Sequence, residues 1–110
     1  MERKEAVTQF KIFWVSLDPA QGSEMAKTRP CVVISPDEMN NHLRTVMASP
    51  LTSTMKAVPS RVKVYFNGQY GMVALDHIRT VDKNRINGYM GKLEKTEIEA
   101  IKETLQEMFS

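Results

Sequence analysis

Cysteine is almost absent from this chain of 110 residues, with Cys31 as its one representative. A single thiol excludes an intramolecular disulfide framework, and it lacks the neighbouring ligands that a zinc site needs. Cys31 begins an apolar run over residues 31–34, where we expect a buried structural thiol rather than a nucleophile. The two histidines, His42 and His77, are isolated in the sequence, which gives no metal-ligand spacing.

Glycine is also scarce, with five residues in the chain. They form neither a phosphate-cradling loop of the P-loop or dinucleotide type nor a nucleophile elbow around a serine. Together with the missing metal spacing, this predicts that any activity of the chain works without a metal ion and without an organic cofactor.

Long apolar runs are missing too. None approaches the length of a membrane span, and residues 1–5 lead into no signal-peptide core. The length suits one domain with a real core and leaves no room for two. We expect a single domain over residues 1–110, in the cytoplasm and without a membrane partner.

The charge is unevenly distributed. The formal net charge is +2, yet residues 94–110 hold five glutamates against two lysines, so the preceding chain is basic. A basic body with an acidic end is typical of a polyanion-binding surface joined to a solvated helix. The same excess also falls within the normal range of proteins that bind no nucleic acid.

Several short segments are rich in aromatic and β-branched residues and predict strands. Pro50 is expected to end the third of them, and Asn67-Gly68 predicts a tight turn after the fourth. The fifth is expected to carry Asp76, His77 and Arg79 at its end. The predicted strands are residues 10–17, 29–35, 45–51, 61–66, 72–82 and 88–93.

Two helix starts are predicted from capping patterns. Ser35 followed by Pro36 and Glu38 resembles a capping box for a short helix, and Thr96 followed by Glu99 resembles another at the end of the chain. The second helix has an apolar stripe. Five or six short strands and one closing helix, without strand–helix alternation, predict a mainly β fold, namely a small antiparallel barrel.

The segment 22–30 is the first candidate site, because it carries a carboxylate, hydroxyls and two cations immediately before a strand that we expect to be buried. Pro30 restricts Arg29 to an extended backbone. A guanidinium is a planar, permanently charged fork that suits a phosphate. We therefore place Arg29 at the centre of a nucleic-acid-cleaving site. The other polar groups of this segment are candidates for binding the nucleic acid, namely Ser23, Lys27, Thr28 and Glu24, and the Glu24 carboxylate is also a possible base.

Further polar groups follow the later strands. Thr52 and Ser53 come after the third strand, and Asp76, His77 and Arg79 come at the end of the fifth. The ends of strands in a small barrel can converge on one rim, where a hydroxyl could position a phosphate and a carboxylate could act as a base. Each also has an ordinary structural explanation: an ion pair, a capped turn or a histidine satisfied by its neighbours.

An ordered series of short motifs resembles the MazF/PemK/Kid toxins over about residues 10–108. The order of the whole set carries the resemblance, since a single Arg-Pro dipeptide would be uninformative. The motifs are Trp14-Val15, Leu17-Asp18-Pro19, Gly22-Ser23-Glu24, Arg29-Pro30, Val32-Val33-Ile34-Ser35, Pro50-Leu51-Thr52-Ser53, Asp76-His77-Ile78-Arg79-Thr80-Val81-Asp82, Arg85 and Gly91-Lys92-Leu93.

The resemblance implies an SH3-like barrel of the CcdB/PemK type with a C-terminal α-helix, working as a homodimer. It implies a ribosome-independent endoribonuclease, an mRNA interferase, that cuts single-stranded RNA at short motifs. In such toxins the 2′-hydroxyl attacks the adjacent phosphate without a metal, leaving a 2′,3′-cyclic phosphate and a 5′-hydroxyl. The implied partner is a MazE-like antitoxin whose acidic segment covers the RNA groove.

The resemblance also assigns residues. The family's essential arginine falls on Arg29 and its essential hydroxyl on Thr52, while Glu24 and Asp76 match acidic positions. The chain has Ala74 where Kid-like members carry an arginine, so the base that accepts the 2′-hydroxyl proton stays open. Two rival functions also stay open: a CcdB-like topoisomerase poison and a non-catalytic SH3-like RNA-binding module.

Overall fold

The computed structural model describes residues 5–17 and 27–110. Its strands and helices are β1 (Lys11–Ser16), β2 (Thr28–Val33), α1 (Asp37–Asn40), β3 (Thr45–Thr52), β4 (Arg61–Phe66), β5 (Gln69–Ala74), β6 (Arg79–Asp82), β7 (Ile86–Lys92) and α2 (Lys95–Met108). Two 3-10 turns, Leu75–His77 and Lys83–Arg85, flank β6. Within these ranges no helix combines the length and the apolar character that crossing a membrane requires.

The strands form one antiparallel sheet in the order β4-β5-β3-β2-β1-β7, with β6 paired to β3. The two ends of this order approach each other, because a Cβ added to Gly91 of β7 would lie 3.4 Å from a ring carbon of Phe66 at the end of β4. The sheet is therefore curled into a partly closed barrel. The predicted mainly β architecture with a closing C-terminal helix is confirmed.

Both faces of the central strands are buried. Ile12 and Val32 pack in the barrel interior together with Ile101 of α2. The next residue along each strand, Phe13 or Val33, belongs to a second core on the opposite face, as the two-residue period of a strand requires. Strand β4 is different, since only its inward side chains are buried, in agreement with the predicted alternation.

Strand β3 does not end at Pro50 as predicted but continues to Thr52. On one side Pro50 pairs with Cys31 of β2. On the other side β6 pairs with residues 45–48 and β5 with residues 51–52. Pro50 lies in the gap between these two partners, where a missing N–H interrupts no ladder on that side.

The single strand predicted over residues 72–82 is wrong, because a 3-10 turn divides it into β5 and β6. Val73 pairs with Leu51, whereas Arg79 pairs with Ala48. Val73 and Arg79 are six residues apart, whereas their partners Leu51 and Ala48 are only three residues apart along β3. The chain between β5 and β6 therefore holds three extra residues. The 3-10 turn Leu75–His77 has this length, and it takes the Asp76 and His77 side chains out of the ladder.

Neither predicted capping box forms at the predicted residues. Helix α1 begins after Pro36 without a side-chain cap. Ser35 Oγ instead donates to Asn40 Oδ1 at 2.6 Å and accepts the Met47 N–H at 3.0 Å, which satisfies two buried polar side chains. Helix α2 starts two residues before the predicted box, with a capping box formed by Glu94 and Glu97.

Glu97 joins the start of α2 to the edge of the sheet. One carboxylate oxygen accepts the N–H of Glu94 at 2.8 Å, and the other accepts the N–H of Tyr65 in β4 at 2.8 Å. Strand β4 is the last in the sheet order, so this bond satisfies a backbone donor that a neighbouring strand would otherwise pair.

We predict that Glu97→Ala lowers the free energy of unfolding by about 1–2 kcal/mol, because it removes a helix cap and an edge-strand acceptor together. Urea unfolding measures the change. Glu99→Ala, at an exposed position of the same helix, is the control and should shift the midpoint much less. Equal midpoints for the two variants would contradict the bridging role of Glu97.

Candidate active site

A cavity of about 290 Å³ opens at one end of the curled sheet. Its walls come from β1, β2, β3, the β4–β5 hairpin and β7, so it exists only because the sheet is curled. Arg29 and Thr52, the two predicted catalytic residues, both line it. The complete lining is Trp14, Arg29, Pro30, Leu51, Thr52, Ser53, Phe66, Asn67, Gln69, Tyr70, Gly71 and Met90.

The register of β2 and β3 explains why Arg29 and Thr52 meet. These strands pair Val33 with Ala48 and Cys31 with Pro50. The same antiparallel register continued by two residues places Arg29 opposite Thr52. Directly opposed residues share a face of the sheet, so the guanidinium and the hydroxyl start from neighbouring backbone positions on one face.

The Thr52 hydroxyl is held in place by its own strand end. Its residue is 9% exposed, and Oγ1 accepts the N–H of Thr54 at 3.2 Å. This bond uses a lone pair of the oxygen, which leaves the O–H able to donate to a phosphate oxygen. Ser53 follows it on the cavity wall and adds a second hydroxyl.

Cys31 lies close to two arginines and is buried, with 1% of the residue exposed. Burial raises the pKa of its thiol to about 12, although Arg29 and Arg79 act in the opposite direction. A raised pKa favours the protonated thiol, which is the poorer nucleophile. The predicted burial of this thiol is confirmed.

Asp76 and His77 do not line the cavity. Arg61 Nε donates to Asp76 Oδ1 at 2.8 Å, and a second guanidinium nitrogen donates to Oδ2 at 3.1 Å. This hydrogen-bonded pairing lowers the pKa of Asp76, which makes the carboxylate a weaker base. His77 Nε2 lies 3.7 Å from the same carboxylate, so the structure groups His77 with the Arg61–Asp76 ion pair, outside the cavity lining.

Arg79 is also directed elsewhere. Its guanidinium donates to the carbonyl oxygen of Leu17 at 3.3 Å, a contact that fastens the end of β1 to β6. Thr28 is exposed at the start of β2, and Lys27 precedes it with a positive φ of 67°. They are the two residues that precede Arg29. The other predicted members of this segment, Ser23 and Glu24, lie outside the described residues.

The β4–β5 hairpin supplies part of the cavity wall that sequence reasoning missed, including Asn67, Gln69 and Tyr70. The predicted tight turn is present, since Asn67 and Gly68 both have positive φ, 54° and 81°, as a type I′ hairpin requires. The turn signal located the hairpin. No sequence signal showed that the curl of the sheet brings its tip to Arg29.

The described residues contain no cluster of three or more histidine, cysteine or acidic side chains that could hold a metal ion. Among the described residues that line the cavity, Arg29 is the one with a positive charge. A guanidinium and a hydroxyl at adjacent positions can bind a phosphodiester and stabilise charge on its oxygens.

The curled sheet, the closing helix and the arginine–hydroxyl cavity define a small β-barrel domain with a site suited to an anion. Residues 8–109 match the family model described as PemK-like, MazF-like toxin of type II toxin-antitoxin system. The chain belongs to this toxin family.

Individual relatives agree with this assignment. The chain is 33% identical over 70 residues to the endoribonuclease toxin MazF of Escherichia coli, covering 64% of this chain and 63% of that protein. It is 32% identical over 81 residues to the endoribonuclease MazF of Staphylococcus saprophyticus, covering 68% of each. The alignment thus spans less than two thirds of the length of the Escherichia coli relative.

Solved structures show the same fold. MazF from Deinococcus radiodurans superposes with a TM-score of 0.83 at 24% identity, over 96% of this chain and 98% of that one. A MazE–MazF structure from the same organism gives a TM-score of 0.78 at 24% identity, over 96% and 97% of the two chains.

We predict that Asp76→Asn weakens folding at neutral pH. The folded-state pKa of Asp76 lies below its unfolded value of about 3.9, so its pairing with Arg61 stabilises the fold above about pH 4 and is lost as the pH falls further. Because the carboxylate is more than one third exposed, we expect an effect of less than about 1 kcal/mol.

Urea unfolding at pH 7 and at about pH 2.5 measures this difference. It should be larger at the higher pH than at the lower one. Glu103→Gln, which changes an exposed carboxylate on α2, is the control. Equal stability of the wild type and Asp76→Asn at pH 7 would contradict the stabilising role of the ion pair.

We also predict that Gly71→Ala disturbs the site through the backbone. A Cβ at this position would lie 3.1 Å from the carbonyl oxygen of Thr52, closer than most such contacts, so the neighbouring backbone must give by a few tenths of an ångström. We expect a loss of about 1–3 kcal/mol of stability, measured by thermal unfolding. Unchanged melting would contradict this close approach.

Proposed function

We propose that this chain is a sequence-specific, ribosome-independent endoribonuclease toxin that cleaves single-stranded RNA, in particular mRNA. The observation that carries the proposal is that Arg29 and Thr52 line one cavity, where the register of β2 and β3, continued by two residues, places them opposite each other. Membership of the toxin family supports it, and two relatives of the chain are named endoribonucleases. Because mRNA is found in the cytoplasm, we propose that the protein acts there.

The reaction we propose is an internal transfer at phosphorus. The 2′-oxygen bonds to the adjacent phosphorus while the bond from phosphorus to the 5′-oxygen breaks, giving a 2′,3′-cyclic phosphate and a 5′-hydroxyl. Arg29 stabilises the negative charge that develops on the phosphoryl oxygens, and it is our candidate for the donor that protonates the departing 5′-oxygen. Thr52 orients the phosphate by donating its O–H.

The proton of the 2′-hydroxyl needs an acceptor. Glu24 is our candidate, because it lies in the same segment as Arg29 and matches an acidic position of the family. Asp76 is a poorer one, since Arg61 holds its carboxylate in an ion pair and lowers its pKa. The remaining polar groups around Arg29 contact RNA in our proposal: Ser23, Lys27, Thr28 and Ser53.

Two protein partners belong to the proposal. One is a second copy of the chain in a homodimer. The other is a cognate MazE-like antitoxin, because a neighbour of known structure is a MazE–MazF pair. An antitoxin segment that is acidic would be attracted to a groove containing Arg29 and could occupy it in place of RNA.

The test is to incubate the purified protein with a randomised pool of single-stranded RNA and to sequence the cleaved ends. We expect fragments whose 5′-hydroxyls are phosphorylated directly by a kinase and whose 3′ ends carry a cyclic phosphate. Arg29→Ala should lower the rate by about 10²–10³-fold, since it removes a donor to the developing charge. A chelator should leave the wild-type rate unchanged, because no step of the proposed reaction uses a metal.

Matched variants separate chemistry from folding. Arg44→Ala removes an exposed arginine outside the cavity lining and should cleave as the wild type does. Thr52→Val removes the hydroxyl at constant shape and should slow cleavage, whereas Thr52→Ser should retain most of it. Full activity in Arg29→Ala would overturn the assignment. Binding without cleavage by the wild type would favour an RNA-binding module, and inhibition of a topoisomerase without RNA cleavage would favour a poison.

A further inference from the structure

An exposed aromatic pair lies on the β4–β5 hairpin beside the cavity. Tyr70 is 60% exposed and Tyr65 is 52% exposed, yet their rings are ordered against each other, with centroids 4.9 Å apart and planes tilted by 48°. Lys63 Nζ lies 4.4 Å from the centroid of the Tyr70 ring. Two exposed rings and a cation in mutual contact are more than the scattered apolar residues of an ordinary surface.

Tyr70 also lines the cavity that contains Arg29 and Thr52. It thus belongs both to the exposed pair and to the candidate active site. None of the motifs that identified the catalytic pair includes it.

The strand register fixes the position of Tyr70 relative to the proposed reacting phosphate. Thr52 pairs with Met72 of β5, and Met72 pairs with Lys63 of β4. Tyr70 lies two residues before Met72 and therefore on the same face of the sheet. It is a diagonal neighbour of Thr52, a relation that corresponds to about 7–8 Å between backbone positions.

We propose that Tyr70 forms a nucleobase-stacking subsite for the nucleotide next to the cleaved phosphate. The proposal rests on the RNA-cleaving function proposed above. Arg29 and Thr52 hold the phosphate, and a neighbouring base lies on the Tyr70 ring. Lys63 and Tyr65 are positioning residues, because they hold the ring in one orientation before the RNA arrives.

The chemistry of the patch favours single-stranded RNA over a protein occupant. An unpaired base offers a flat π-face, and stacking on aromatic side chains is a general way of holding single strands. The ammonium of Lys63 next to the ring suits a chain that carries a phosphate for every base. The diagonal distance from Thr52 allows one nucleotide to use both sites.

The experiment measures binding and cleavage separately. The binding probe is a fluorescent, randomised, single-stranded RNA pool with 2′-O-methyl sugars, which lack the attacking hydroxyl and cannot be cleaved. Tyr70→Leu removes the ring and should weaken binding by roughly 5- to 150-fold, the range for losing one stacked base. Tyr70→Phe keeps the ring and should bind within about twofold of the wild type.

Phe109→Leu is the matched control, because it removes another exposed aromatic ring, at the end of α2 and outside the cavity lining. It should bind as the wild type does. Lys63→Met keeps the length of the side chain and removes the charge. Cleavage of an unmodified pool should show that Tyr70→Leu loses base preference at a position flanking the cut while it keeps the same end chemistry.

The outcomes separate the subsite from the proposed function. A wild-type protein that binds the probe through Tyr70 but cleaves no RNA would support the stacking subsite and overturn only the nuclease. Equal binding by the wild type and Tyr70→Leu would overturn the subsite and leave the patch to a protein partner, whether or not RNA is cleaved. A wild-type protein with no affinity for the probe would also overturn the subsite.

Discussion

The pairing of β3 with its neighbours is the constraint on which the rest of the structure depends. On one side its register with β2 brings Arg29 level with Thr52, and on the other its register with β5 brings Met72 level with the same threonine. A shift by one residue in either ladder would place Arg29 or Met72 on the face of the sheet opposite to Thr52. The hydrophobic pattern fixes these registers, through residues such as Val32 and Val33 on β2 and Leu51 on β3. It therefore also fixes the relative positions of the site residues.

This constraint also explains which predicted residues the structure separates. Strands β5 and β6 run along the same side of β3, but the three extra residues between their registers form a 3-10 turn. Asp76 and His77 lie in that turn, so they leave the face that carries Thr52. Asp76 then pairs with Arg61. A carboxylate that sequence order places near the site thus joins the 3-10 turn to the start of β4 instead.

Local sequence patterns predicted the parts of the fold that local forces determine. The alternation of β4, the Asn67-Gly68 turn and the apolar run after Cys31 depend on neighbouring residues, and the structure has all three. The end of β3 and the start of α1 were misplaced because tertiary contacts decided them. The start of α2 was misplaced by two residues because Glu94, and not Thr96, forms the capping box. The family pattern named Arg29 and Thr52, whereas the cavity wall from the hairpin depends on the curl of the whole sheet, which no local pattern expresses.

The residues that line the cavity include two groups, those on β2 and β3 and those on the β4–β5 hairpin. In the proposed function, Arg29 and Thr52 offer a charge and a donor to a phosphate that is identical at every nucleotide. Discrimination between RNA sequences would then come from groups that contact bases. The hairpin side chains are our candidates for such contacts, because Asn67, Gln69 and Tyr70 line the same cavity from a separate element. A hairpin tip tolerates substitution better than the buried strands that carry Arg29 and Thr52, so under the proposed function base preference can vary on this scaffold while the cleavage chemistry stays the same.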